Sequence, residues 1–519
     1  MGIPSYFSYI IKNHSNIIKQ YNSIKNISNF YLDSNSIIYD ALKNIDFQDD
    51  KVKFEKNIIN WVIKKIEELI KIIKPKNTIL IAFDGVAPMA KLQQQKTRRF
   101  KSMYINKILQ KMAIDNDLKW DKAAITPGTT FMKNLGKSLI KKFSKNKKVI
   151  VSTTEEAGEG EHKIFDFIRN HPEKHYNKTT IVYGLDADLI MLCLNNLQIS
   201  NDIYIYRETP EFIKSLNYNL EPNVLYCMDI VEFSKAIVKE MGFNNKHGNC
   251  VISDYIFICF LLGNDFMPHF PSLNIRTTGI NILIAAYHNT ISSQNKVLIH
   301  DGNIQWKNFK NLIKWLADSE KNNLIEEYAI RKKWEKRIYN NSSKEEILKK
   351  IDNIPTKMRE IEILIDPYNK GWENRYYTKL FDSEPNEYFI NKLCTNYLEG
   401  LEWVYRYYTK GCCDWNWKYN YHYPPLFKDL LNYIPYWDTN MIEDNDNKPI
   451  PPIVQLAYVL PSESFEILPN KVKNILIKKY SDFYLHDPNI HWSFCKYFWE
   501  AHIDFIDVNM DKFIQDING

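Results

Sequence analysis

Seven acids in this chain have the surroundings that phosphate chemistry needs: Asp33, Asp84, Glu159, Glu161, Asp186, Asp188 and Asp265. Each follows a short apolar run or opens a helical stretch, in a motif with Gly or Asn. One Asp after a strand commonly caps a helix or forms a turn, and glutamates at a helix start favour its dipole. The paired Asp186-Ala-Asp188 is less easily read that way, and the set matters more than any member. Gathered in one place, seven carboxylates repel and raise one another's pKa values unless cations neutralise them. Oxygen donors with no Cys or His among them suit Mg²⁺ or Mn²⁺ rather than zinc. Two such ions side by side are a standard device for hydrolysing phosphodiesters.

A second chemistry follows Asp84. From Gly85 to Ile114 there are seven basic residues (Lys91, Lys96, Arg98, Arg99, Lys101, Lys107 and Lys111) and no acid. On a helix Lys91, Gln95 and Arg98 fall at i, i+4 and i+7, one face, with Arg99 beside them. Two guanidiniums, an ammonium and an amide match a terminal phosphate dianion. Aromatics make up 14% of the chain and crowd between Trp403 and Tyr423. Basic groups with flat rings suit single-stranded nucleic acid, although a solvated helix face and an aromatic core would have the same composition.

The elements that must hold these residues are legible. Runs at Asn29–Leu32, Thr78–Phe83, Lys148–Ser152 and Thr180–Leu185 are rich in Ile, Val, Phe and Tyr, as buried parallel strands are. Between the first two, Ile58, Val62, Ile66, Leu69 and Ile73 recur at helical spacing. Strand, helix, strand implies a right-handed crossover and an α/β sheet with helices on both faces. Ligands of such sheets collect at the carboxyl ends of the strands, where the acids lie. The expected organisation is an α/β catalytic lobe over residues 1–290, a helical connector over 291–365, and a mostly helical, aromatic-rich second region over 366–519.

Composition bounds the alternatives. At 519 residues the chain is long for one core, and 45% hydrophobic with 25% charged is ordinary for a folded protein, not a disordered one. The net charge of +6 decides nothing alone. No apolar run reaches membrane-spanning length and no secretory signal is visible. Eight scattered cysteines without a C-x-x-C pair read as reduced thiols, which places the expectation in the cytoplasm, with the nucleus open.

The motifs also occur in a known order. Tyr31-Leu-Asp-Ser-Asn-Ser-Ile-Ile38, Phe83-Asp-Gly-Val-Ala-Pro88, Ile125-Thr-Pro-Gly-Thr129, Gly158-Glu-Gly-Glu-His-Lys163, Tyr183-Gly-Leu-Asp-Ala-Asp-Leu189 and Leu262-Gly-Asn-Asp-Phe266 resemble those of the Xrn family of 5′→3′ exoribonucleases. So do the opening Met1-Gly-Ile-Pro4 and, later, Glu402-Trp-Val404, Trp415-Asn-Trp417 and Tyr421-His-Tyr423. The resemblance implies a nuclease lobe of the PIN/flap type in which the seven acids ligate two Mg²⁺ ions, with Mn²⁺ able to substitute. It implies that Lys91, Gln95, Arg98 and Arg99 hold the 5′-monophosphate of single-stranded RNA. A His and a Trp stack the first bases in the family. Here Tyr39 stands at the His position, which keeps a ring but no imidazole, and the Trp is Trp415 or Trp417.

The expected activity is processive degradation of 5′-monophosphorylated RNA to nucleoside 5′-monophosphates by a monomer, in RNA decay. The chain ends about 100 residues past the aromatic block, so a core enzyme without the family's C-terminal accessory domains is expected. Two rivals stay open: a flap-endonuclease-like DNA nuclease and a non-catalytic RNA-end scaffold.

Overall fold

A computed structural model describes residues 3, 5–48, 50–112, 120–184, 186–207, 220–221, 224–243, 248–340, 343–484 and 488–518. Of the motif residues quoted above, Met1, Gly2, Pro4 and Leu185 lie outside the described residues, as does Ile114 of the basic segment.

The catalytic half is built on one sheet of seven strands: β1 (Ile18–Gln20), β2 (Ile27–Asp33), β3 (Thr78–Ala82), β4 (Val149–Ser152), β5 (Thr179–Tyr183), β6 (Ile203–Arg207) and β7 (Tyr226–Asp229). Their spatial order is β1-β7-β6-β5-β2-β3-β4. Strands β4, β3, β2, β5 and β6 run parallel, whereas β7 is antiparallel to β6 and to β1. The parallel α/β sheet expected from the sequence is present, and it carries an antiparallel β7 towards one edge. The runs responsible are short and carry polar residues, so they lack the continuous apolar pattern of the central strands.

Central strand β2 is buried along all seven residues because both faces are covered. Phe30 and Leu32 point into a core shared with helix α1 (Lys51–Ile73), whose Ile58, Val62, Ile66, Leu69 and Ile73 are all buried. Tyr31 points the other way, into the core that holds Ile164, Phe165 and Ile168. The chain runs outward from β2 through β3 to β4, then returns to the opposite side of β2 as β5. That reversal opens a crevice between the carboxyl ends of β2 and β5, the usual ligand position in open α/β sheets.

Four helices position the site: α2 (Met89–Lys111), α3 (Gly160–Asn170), α4 (Asp188–Asn195) and, far along the chain, α6 (Glu387–Thr409). The stretch 291–365 is largely helical and includes the 30-residue α5 (Trp306–Glu335), preceded by a small hairpin of β8 (Ile299–His300) and β9 (Asn303–Ile304). Trp306, Phe309, Leu312, Ile313 and Leu316 bury one stripe of α5 in the same core that covers the sheet. Apolar side chains such as Val454, Leu456, Val459, Leu476 and Phe513 form a further core with Val86, Ala87, Met89 and Leu92 at the start of α2. A last pair of strands, β10 (Ile490–His491) and β11 (His502–Ile503), closes the second region. Among the described residues no helix is long and apolar enough to cross a membrane, and all eight cysteines are free thiols.

Candidate active site

Asp33 is the last residue of β2, and Asp84 stands two residues beyond β3. Glu159 is the N-cap of α3 and Glu161 lies in its first turn. Asp186 follows β5, and Asp188 is the first residue of α4. Asp265 sits in a tight turn after Gly263, where the Asn264 side chain accepts the Phe266 and Met267 N–H groups at 2.9 Å each. The strand ends and helix starts thus bring all seven carboxylates to the crevice, and each feels the charge of at least one other.

Specific contacts fix their geometry. The Asp84 carboxylate accepts from the Gly160 N–H at 2.7 Å and from the Asn35 amide. Gly160 is required here, since a Cβ would come within 2.7 Å of Asp33 Oδ1. Lys91 Nζ lies 2.6 Å from both Glu159 Oε1 and Asp265 Oδ2. The Tyr407 hydroxyl, from α6, donates to Glu159 Oε2 at 3.0 Å, and the adjacent Tyr408 hydrogen-bonds Asp188. Lys163 anchors the ends of β3 and β4 through the carbonyls of Phe83 (2.8 Å) and Thr153 (2.7 Å).

The electrostatics follow from burial. Asp33 is pushed well above the usual carboxylate range by burial and then by Asp84 and Asp186. Burial followed by Asp188 does the same to Glu161. Asp188 is raised to about 7 by burial, with Asp265 adding to it. Burial works against the charge of Lys91, yet Asp265, Glu159, Glu161 and Asp188 together hold it firmly protonated. Among the described residues, one buried ammonium inside the group, with Lys163 beside Asp84, leaves seven carboxylates short of neutrality. One oxygen of Glu161 is buried with no partner at all. Carboxylate oxygens of Asp33, Glu161 and Asp186 lie within 4.8 Å of one another, and Glu159, Glu161 and His162 form a second such group. An oxygen-rich donor set with unbalanced charge and an orphaned ligand atom fits hard divalent cations.

The basic residues divide differently from expectation. Lys91, Gln95, Arg98 and Arg99 all belong to α2, but the Lys91 ammonium is already paired within the acidic group rather than offered beside the guanidiniums. Arg98 is exposed and acts on Asp265 from outside. Arg99 donates through Nη2 to Thr126 Oγ1 at 2.5 Å, while its Nη1 and the Gln95 Oε1 are buried without partners. Burial lowers Arg99 to about 10, which leaves it cationic at neutral pH. Tyr39 is 43% exposed and lies close enough to Arg99 to bear on its charge. Lys96 and Lys101, on the back of α2, are buried in the fold.

The two tryptophans also part. Trp417 is a core residue, stacked on Trp403 with centroids 5.1 Å apart. Gly400 makes room for it, because a Cβ there would come within 2.9 Å of the Trp417 ring. Trp415 is only half-buried, and its carbonyl accepts the Met89 N–H at 2.9 Å, which ties it to the first residue of α2.

Asn35, His162, Tyr407 and Tyr408 were not singled out by the sequence reading. Asn35 and His162 lie inside quoted motifs. The tyrosines gave no signal, because they reach the site from more than 200 residues away.

Two family models match the chain: the XRN 5′-3′ exonuclease N-terminus over residues 1–209, and the Xrn1 helical domain over 246–364 and 356–510. Among curated proteins it is 27% identical to the human 5′-3′ exoribonuclease 1, covering 90% of this chain and 31% of that protein. It is also 27% identical to the Saccharomyces cerevisiae protein of the same name, covering 98% of this chain and 42% of the other. It therefore spans less than half the length of these relatives. Among solved structures, the catalytic core of Rad2 in complex with DNA substrate aligns at 14% identity with a TM-score of 0.32, over 63% of this chain and 79% of that one. With one family model matching the catalytic half and another matching the helical half that supplies Tyr407 and Tyr408, the chain belongs to the XRN family of 5′-3′ exonucleases.

Proposed function

We propose that this chain is a Mg²⁺-dependent 5′→3′ exoribonuclease, with Mn²⁺ able to substitute, that acts as a monomer on single-stranded RNA carrying a 5′-monophosphate. The observation that carries this reading is the pair of orphaned polar atoms, Arg99 Nη1 and Gln95 Oε1, on the helix whose Lys91 enters the carboxylate group. A phosphate monoester would satisfy the guanidinium through its oxygens, and a protonated phosphate oxygen or a bound water would satisfy the amide carbonyl. Arg98 adds a second charge at the mouth. Tyr39 and the half-buried Trp415 would stack the first bases, a reading supported by their exposure and by the packing of Trp417 in the core.

Asp33, Asp84, Glu159, Glu161, Asp186, Asp188 and Asp265 would hold two divalent ions, which supply water activation and charge stabilisation at the leaving oxygen. Lys91 keeps Glu159 and Asp265 together, and Tyr407 and Tyr408 orient Glu159 and Asp188. In the hydrolysis, water oxygen bonds to the phosphorus that follows the first nucleoside. The P–O3′ bond breaks and O3′ takes a proton. The released product is a nucleoside 5′-monophosphate, and the shortened RNA again ends in a 5′-monophosphate. Each turnover therefore regenerates the group that the Arg99 pocket would read, which favours processive action.

The test is one gel series with capped, 5′-hydroxyl and 5′-monophosphate RNA and with DNA, with and without Mg²⁺. Mg²⁺-dependent mononucleotide release from 5′-monophosphate RNA alone is expected. Structure-dependent cleavage of DNA would replace the reading by a flap-nuclease one, and end binding without cleavage by a scaffold.

A further inference from the structure

Outside the nuclease centre one more group of side chains converges as ligands do. His422 Nε2 lies 2.8 Å from Asp504 Oδ1, and His491 Nε2 lies 2.7 Å from Asp504 Oδ2. The three donor atoms lie within 4.8 Å of one another. They come from separate segments: His422 from the aromatic block, His491 from β10, and Asp504 from just past β11. The rings of His422 and His491 are 5.3 Å apart, and the half-buried His502, paired with His491 across the hairpin, stacks on His422 at 5.2 Å.

We propose that His422, His491 and Asp504 form a second metal site that takes a zinc-class cation and clamps the loop of the aromatic block to the C-terminal hairpin. Two imidazole nitrogens and one carboxylate oxygen are a donor set for Zn²⁺ or Co²⁺, whereas the oxygen-rich nuclease centre suits Mg²⁺. A tetrahedral ion with bonds of about 2.0–2.1 Å holds its ligand atoms about 3.3 Å apart. The two His–Asp spacings, 2.8 and 2.7 Å, are somewhat shorter and all three atoms lie within 4.8 Å of one another, so small side-chain shifts suffice. All three side chains are partly exposed, at 33% for His422, 29% for His491 and 47% for Asp504, which leaves an entry path and a fourth position for water. The Lys418–Asp507 ion pair at 2.9 Å joins the same two segments, and Trp415 lies on the clamped loop.

The experiment uses the full untagged chain, stripped with chelator and returned to excess Mg²⁺ so that the nuclease centre is filled, then titrated with Co²⁺. One equivalent should bind with the visible absorption of a low-symmetry imidazole site, and Zn²⁺ should bleach it. His422→Gln with His491→Gln should abolish the signal, and Asp504→Asn, which keeps a hydrogen-bond acceptor, should weaken binding by about tenfold or more. Asp186→Asn with Asp188→Asn should leave it unchanged. Absence of the signal in the wild type overturns the proposal without reference to any variant. So does a signal that survives loss of the histidines and vanishes with Asp186 and Asp188.

Discussion

Two assemblies of buried charge lie in this molecule, and they are settled in opposite ways. In the helical connector, Arg331 donates to both carboxylate oxygens of Glu362, at 2.9 and 2.5 Å, and to the carbonyls of Phe494 and Cys495 at 3.2 and 3.0 Å. Arg359 adds a bond to Glu362 at 2.6 Å and reaches Glu335 at 3.0 Å. Burial opposes charge on Glu362, but Arg331 and Arg359 together outweigh it and hold the carboxyl below its ordinary value. Every charge there has a partner from the fold. In the crevice, seven carboxylates share two buried ammoniums among the described residues, and most are raised, not lowered. Desolvation is common to both places, and the difference is what compensates it. Balanced burial holds a structure together, while unbalanced burial marks a place that something from solution must complete.

The largest effects should separate the two. Asp186→Ala or Asp188→Ala is expected to abolish hydrolysis while RNA binding survives within a few-fold and thermal stability without added metal is unchanged or raised. Arg331→Ala should do the reverse, costing about 3–5 kcal/mol of stability by stranding Glu362 while specific activity of the folded fraction is retained. Activity assays and melting curves on the same preparations check both. Normal turnover by either Asp variant under saturating Mg²⁺ would remove that residue from the site.

A smaller effect is expected at the rim of the unbalanced region. Arg98→Ala with Arg99→Ala should slow degradation of 5′-monophosphate RNA at least tenfold, at about 1.5–3 kcal/mol for each charged contact. It should also erase the preference over 5′-hydroxyl RNA, with residual hydrolysis still dependent on Mg²⁺. A uniform, salt-sensitive loss with the preference kept would mean that these arginines only neutralise backbone charge.

Tyr39→Ala should cost about 1–3 kcal/mol in the rate through lost stacking, and Tyr39→His should be tolerated. Equal rates for wild type and Tyr39→Ala on structured and unstructured RNA would refute the stacking role.

The smallest change tests an intermediate case. Lys96 is buried without a hydrogen-bond partner, its Nζ 3.0 Å from the ring centroid of Phe483 and 4.2 Å from that of Phe505. Burial pushes it down to about 6, from 10.5 in the unfolded chain. Between those values the unfolded state binds more protons, so this residue's contribution is fully present above 10.5 and is lost as pH falls towards 6. The ring faces favour the cation and offset part of that loss. Lys96→Met should therefore stabilise the protein by about 1 kcal/mol near neutral pH and flatten the slope of melting temperature against pH. An unchanged slope would mean that the rings compensate the charge fully.

Much of this arrangement was legible in the residues. Apolar runs ending in carboxylates and the Ile58–Ile73 periodicity required strands with acids at one end and a crossover helix, because backbone periodicity and burial are local consequences of residue type. The seven acids and the basic face of α2 were visible for the same reason. The antiparallel edge was not, since β1 and β7 pair across about 200 residues and carry no pattern of their own. Nor was the fate of Lys91, whose spacing matched Gln95 and Arg98 but whose ammonium is claimed by Glu159 and Asp265. The same holds for the choice between Trp415 and Trp417: the two are chemically identical and two positions apart, and only the space beside Gly400 buries one of them.

The amino-acid sequence by itself determined which groups could do chemistry and which short elements would carry them, because side-chain type and hydrophobic period act over a few residues. The tertiary structure alone decided which charges were cancelled and which were left over. Cancellation depends on distances between separate segments, 248 residues apart for Tyr407 at Glu159, 174 for Lys91 at Asp265 and 31 for Arg331 at Glu362, and no local pattern encodes those distances.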